Sequence, residues 1–169
     1  MGTTFSSRST LEDCLYIINM ELRNKYIGLQ SKMKDSAKGF SQLGDYGCLF
    51  LCLCSIAEEY NHDSRNGKDF DIMTFWLACR SKGLIGDEFF CKDQERMLEL
   101  ATGVKWRKRA VRGLPEVVKW NEYTVEKWYN PRTKYTHFKR RWGDTLTSSV
   151  TVKEGNIKEY YVYEAQVKD

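Results

Sequence analysis

Histidine is scarce in this chain, with His62 and His137 the only two among 169 residues. Any chemistry that needs an imidazole base therefore has two candidates. No apolar run approaches the roughly 20 residues of a membrane span, so no transmembrane helix is expected. The opening Met1-Gly2-Thr3-Thr4-Phe5-Ser6-Ser7-Arg8 lacks the apolar region and cleavage site of a secretory signal. Gly2 with Ser6 fits a myristoylation pattern only loosely and is set aside. The expected location is the cytoplasm. Cys48, Cys52 and Cys54 lie close together, but no second cysteine pair or His-x-x-x-His accompanies them. A buried helix could not aim all three at one ion, so neither a metal nor another cofactor is expected. Repeats, low-complexity tracts and linkers are also missing.

The chain does have enough apolar character for one packed domain: 41% hydrophobic and 14% aromatic residues argue against disorder. A domain of this length buries about 70% of its unfolded surface and needs no staple. Cys14, Cys48, Cys52, Cys54, Cys79 and Cys91 mostly fall in helix-like apolar runs, as reduced core thiols do. That usage fits a reducing compartment. The net charge of +4 is concentrated in two clusters, Lys105, Arg107, Lys108, Arg109 and Arg112, then Arg132, Lys134, Lys139, Arg140 and Arg141. Basic clusters attract nucleic acid or acidic partners, although a solvated sheet face is their ordinary explanation.

The pattern reads helices first and strands second. Residues 9–26 carry Leu11, Cys14, Leu15, Ile18 and Leu22 at helical spacing behind a Ser9/Glu12 capping box. Residues 48–59 are apolar nearly all round, as in a central covered helix, and 61–69 read as a polar loop containing His62. Asp71 caps a helix that Gly83 stops, and Asp93 caps one from 94 to 102 that Gly103 ends. Strand patterns then occupy Val104–Val111, Val117–Trp120, Tyr123–Tyr129, Tyr135–Trp142, Leu146–Lys153 and Ile157–Val167. Breaker residues between them imply hairpins and a meandering antiparallel sheet. The expected fold is α+β, a central buried helix packed on a C-terminal sheet. Residues 1–169 form one domain, with a helical extension at 1–38, a helical half at 39–103 and a sheet half at 104–169.

The stretch Gln42-Leu43-Gly44-Asp45-Tyr46-Gly47-Cys48 organises this layout. A thiol at the positive end of a helix is favoured as thiolate. Gly47 leaves its sulfur approachable, and the Gln42 amide with the Cys48 N–H could stabilise an oxyanion. Asp45 is expected to cap the helix. His137, in Tyr135-Thr136-His137-Phe138, is the base that a later strand could turn toward Cys48; the alternative is an ordinary sheet histidine. The tryptophans Trp106, Trp120, Trp128 and Trp142 beside basic residues have the composition of a stacking platform, with strand packing as the commoner explanation.

The order Gln42, Cys48 on a helix and His137 on a strand resembles the papain-like cysteine peptidase superfamily. It is most similar to bacteriocin-leader-type peptidases and their bacterial and phage relatives. Glu99–Trp106, Thr136-His137-Phe138 and Asp144–Gly155 add to the likeness, which runs from about residue 40 onward. The resemblance implies a Cys48 nucleophile, a His137 base, a Gln42 oxyanion donor and Asp144 as the residue orienting the imidazole. A tight turn at 142–143 would pair Arg141 with Asp144 and set His137 opposite Ser148, so Asp144 reaches His137 only across an irregular hairpin. Ser148, Ser149 and Asn130 are other orienting candidates, and a Cys–His dyad alone is a further arrangement. Lys139-Arg140-Arg141 replaces the apolar residues that usually follow the histidine.

Two functions follow. One is thiol-dependent hydrolysis of a peptide or isopeptide bond in a peptide or protein substrate. The alternative is an inactive papain-fold binding or inhibitor protein of phage or mobile-element type. It would use Lys105, Arg107, Lys108, Arg109, Lys139, Arg140 and Arg141 against a host protein, with nucleic acid ranked behind. No membrane partner is expected, and oligomeric state is not legible.

Overall fold

The computed structural model describes residues 25–27, 47–86, 89–113, 118–132, 134, 136–141 and 157–167. Within them the chain is α+β, with three helices preceding a four-stranded antiparallel sheet. The helices are α1 (Cys48–Asp63), α2 (Ile72–Ser81) and α3 (Gln94–Thr102); the strands are β1 (Lys105–Val111), β2 (Glu122–Tyr129), β3 (Thr136–Lys139) and β4 (Ile157–Gln166). Of the helix expected at 9–26, only its end is described: Lys25 and Tyr26 are helical.

Local chemistry sets the helix limits. The Asp71 carboxylate accepts from the Thr74 N–H and hydroxyl, both at 2.8 Å, and Asp93 accepts from the Arg96 N–H at 3.1 Å. Gly103 closes α3 at φ +82°, a left-handed conformation that glycine adopts without strain. The central helix α1 has Gly47 at its N-cap and no side-chain cap there. Asp45, expected to cap it, lies outside the described residues. This helix runs one turn further than its apolar pattern, because Asn61, turned inward, donates to the Ala101 carbonyl at 3.2 Å. His62 therefore belongs to the last turn of α1 and not to a loop.

The sheet order is β1-β4-β2-β3, which corrects the expected meander. β2 and β3 do form a hairpin through Asn130-Pro131, but β4 inserts between β1 and β2 and pairs with both. Val118 to Trp120, expected as a strand, lead into a turn closed by the Glu122 N–H on the Lys119 carbonyl at 3.0 Å. The strand expected at Tyr135–Trp142 is shorter than its pattern, ending at Lys139 before an isolated bridge residue, Arg140. The strand expected at 146–153 lies outside the described residues.

Pairing register divides the sheet into two faces, since directly opposed residues share a side and neighbours alternate. Trp106, Tyr123, Val125, Tyr163 and Ala165 fall on one face and join Phe50, Leu51, Leu53, Ile56 and Tyr60 of α1 in one core. The Tyr60 ring sits edge-on to Trp106 at 5.2 Å, and the Tyr123 hydroxyl donates to Asp63 at 2.9 Å. α3 covers the same face, with the Trp106 indole N–H donating to Thr102 at 2.8 Å. The other face carries Val162, Tyr160, Thr124, Glu122, Glu126 and His137, all buried as well. Five cysteines, Cys48, Cys52, Cys54, Cys79 and Cys91, are buried free thiols among the described residues.

Candidate functional site

Cys48 is the first residue of α1 and is nearly closed to solvent. It lies in the helix layer near Cys91, whose thiol is pushed up to about 12 by burial, with Cys48 and Cys79 adding to the effect. Gln42 and Asp144, the expected oxyanion donor and orienting acid, lie outside the described residues, as do Ser148 and Ser149. Asn130 is described: its side chain accepts from the Arg132 N–H at 2.9 Å in the β2–β3 turn.

His137 sits in β3, directly opposite Trp128. Trp128 in turn pairs with Lys158, and both belong to the face turned away from the helix core. The contacts agree with this parity throughout. Phe138, the next residue, stacks on Tyr161 at 5.8 Å on the helix side, and Arg140, two further on, reaches α1. Strand alternation therefore assigns Cys48 and His137 to opposite sides of the sheet. The sequence identified both residues as chemically capable, but it did not fix which of His137 and Phe138 turns toward the helix.

Around His137 the second face holds a polar network centred on a residue that the sequence reading passed over. Glu126 is buried and takes Lys158 at 3.3 Å, Lys139 at 3.9 Å and the Trp128 indole N–H at 3.2 Å. Lys158 lies 4.8 Å above the Trp128 ring, and hydrogen bonding to Tyr160 together with Glu126 holds its ammonium above the usual lysine range.

The candidate partner-binding cations separate into two groups. Arg140 is buried, donates to Ser55 at 3.0 Å and pairs with Glu59 at 3.4 Å, so it braces β3 against α1. Lys139 is likewise spent on Glu126. Lys108 lies 4.1 Å over the Tyr161 ring, and burial lowers its pKa. Lys105, Arg107, Arg109 and Arg141 are exposed. The first three alternate along β1, which forms one edge of the described sheet; charged side chains there also discourage edge-to-edge pairing.

The tryptophans divide similarly. Trp106 is core and Trp128 is half-buried beneath Lys158, but Trp120 is 63% exposed. It borders an open cleft of about 480 Å³ whose other walls include Glu59, Asp63, Glu122, Tyr123 and Arg141. Among the described residues no three His, Cys, Asp or Glu side chains form a metal-binding group, and no helix is long and apolar enough to cross a membrane. Comparison with known proteins returned no matching family model, curated protein or solved structure.

Proposed function

We propose that this chain is a binding protein on a scaffold of papain-like ancestry, acting through its basic strand and not through thiol hydrolysis. The observation that carries this reading is the register Trp128–His137, which turns His137 away from the sheet face covered by α1, the helix that Cys48 begins. A nucleophile and its base must lie within hydrogen-bond reach, about 3 Å, or close to it. The replacement of apolar residues after His137 by Lys139-Arg140-Arg141 has a structural use that supports the same reading, since Arg140 and Lys139 tie β3 to Glu59 and Glu126. The exposed Lys105 and Arg107 supply the contact surface, beside Arg109, which is held by Glu122 at 2.8 Å.

A peptidyl epoxide, which alkylates a cysteine only when a histidine activates it, tests the choice. The intact mass after incubation should be that of the untreated chain. Stoichiometric labelling of Cys48 that His137→Ala abolishes would restore the hydrolase and remove this proposal.

A further inference from the structure

We infer that the outer edge of β1 is a docking site for an extended acidic segment of a partner protein, which adds to the sheet as a further strand; this rests on the binding-protein reading and names its partner. The backbone supplies the first half of the site. Ala165 turns both its N–H and its C=O toward β2: the N–H donates to the Asn121 carbonyl at 2.9 Å, and the C=O accepts from the Asn121 side chain at 2.8 Å. Antiparallel ladders alternate this direction residue by residue, so Glu164 and Gln166 turn theirs toward β1. Their partners Arg107 and Lys105 are thereby paired to β4. Trp106, Lys108 and Ala110 alternate with them and direct their N–H and C=O groups outward, where no described residue bonds to them. Ala110 itself is exposed, so side-chain bulk does not close this edge. A row of unmet donors and acceptors at strand spacing is what an extended chain pairs with.

The side chains choose the partner. Lys105, Arg107 and Arg109 occupy alternate positions on one face of β1, and the run from 105 to 112 holds no Asp or Glu. The carboxylates of this face lie inboard, on β2 and β4. Glu122 holds Arg109 at 2.8 Å, and Glu164 is shared by Lys119 at 3.8 Å and Gln166 at 2.8 Å. Among the described residues no carboxylate pairs with Lys105 or Arg107. The rim is therefore cationic where the outward backbone groups are. A second copy of β1 would set cation against cation across the ladder, which is unfavourable. Glutamate or aspartate at every second position of an added strand would instead lie beside Lys105 and Arg107. Nucleic acid offers no alternating donors and acceptors at strand spacing, so the two features together select an acidic peptide.

The test uses the full chain and a fluorescein-labelled peptide of alternating glutamate and valine, seven residues long like β1, read by anisotropy. Binding is expected, weakening as salt rises. Methylating the backbone nitrogen of every second residue keeps the charge and removes the donors from one edge of the peptide. One methylated set should weaken binding roughly tenfold, and the complementary set, whose methyl groups point away from β1, should bind like the unmodified peptide. Ala110→Pro removes an outward N–H at a sheet edge, where proline is tolerated, and should weaken binding with little change in urea midpoint. Arg107→Glu should weaken it through charge. If the two methylated sets bind equally, if the peptide does not bind, or if oligothymidylate displaces it better than unlabelled peptide does, the inference fails. The binding-protein reading falls on a different result, His137-dependent labelling of Cys48 by the peptidyl epoxide, so the two failures are told apart.

Discussion

Arg140 and Glu59 meet at 3.4 Å where both side chains are only 7% exposed, and this contact ties the end of β3 to the middle of the central helix. Ser55, one turn earlier on the same helix, accepts from the same guanidinium at 3.0 Å. A basic residue that looked like a surface charge in sequence is thus a crossbrace between the two layers.

Removing one partner of such a pair is expensive because the other charge stays behind in a dry site. Arg140→Ala should therefore destabilise the protein by about 3 kcal/mol. Arg140→Met combined with Glu59→Leu should recover most of that loss. Urea melts of the three variants against the parent measure both effects, and equal losses in the single and double variants would show that the pair is not the cause.

Assignment of Cys48 and His137 to opposite sides of the sheet predicts that they do not communicate. In a double-mutant cycle of Cys48→Ala and His137→Ala, the stability effects should add to within about 0.5 kcal/mol. A coupling of more than about 1 kcal/mol would mean the two side chains touch.

Buried thiols make the fold sensitive to alkali. Burial pushes Cys79 and Cys91 up to about 12 from an ordinary value of 9.0. Between these values the unfolded chain has lost its thiol protons while the folded chain keeps them, so unfolding releases protons and stability falls as pH rises. The expected loss begins near pH 9. It approaches about 1.4 kcal/mol per pH unit for each thiol. Denaturation at a series of alkaline pH values checks this, and Cys79→Ala should show a shallower decline than the parent.

The two ends of α3 offer a cleaner pair of tests. Asp93→Ala removes the N-cap acceptor of the Arg96 N–H and should cost about 1 kcal/mol. Gly103→Ala places a side chain at φ +82° and should cost about as much. The sites are separated by the whole helix, so the double variant should lose the sum, measured as a shift in urea midpoint at constant slope.

These caps also show why part of the fold was legible in sequence. Asp71, Gly83, Asp93 and Gly103 act on backbone groups within four residues of themselves, so the limits of α2 and α3 follow from local chemistry. The position of β4 does not, because its partners lie about 50 residues upstream and 30 residues upstream, and hairpin spacing carries no information about such insertions. Trp120 was misplaced because Val118-Lys119-Trp120 has a strand's composition while Asn121 and Glu122 bend it into a turn. At the candidate site, the sequence marked Cys48 and His137 as residues of interest. Their relation depended on which of two adjacent residues, His137 or aromatic Phe138, faces the helices, and the Phe138–Tyr161 stack settles that in favour of Phe138. Glu126 escaped notice because nothing in Val125-Glu126-Lys127 distinguishes a solvent glutamate from one that collects two lysines across strands.

Placing β4 between β1 and β2 also fixes the order in which the sheet can assemble. Among the described strands β1 has no neighbour until residues 157–166 arrive. The β2–β3 hairpin is the only local nucleus among the described strands. Loop closure over so long a separation makes the final docking slow, in the millisecond-to-second range of sheets built on distant pairings. Until it happens, the Lys119–Glu122 turn has no Ala165 to hold it, so the display of Trp120 is among the last features of the molecule to form.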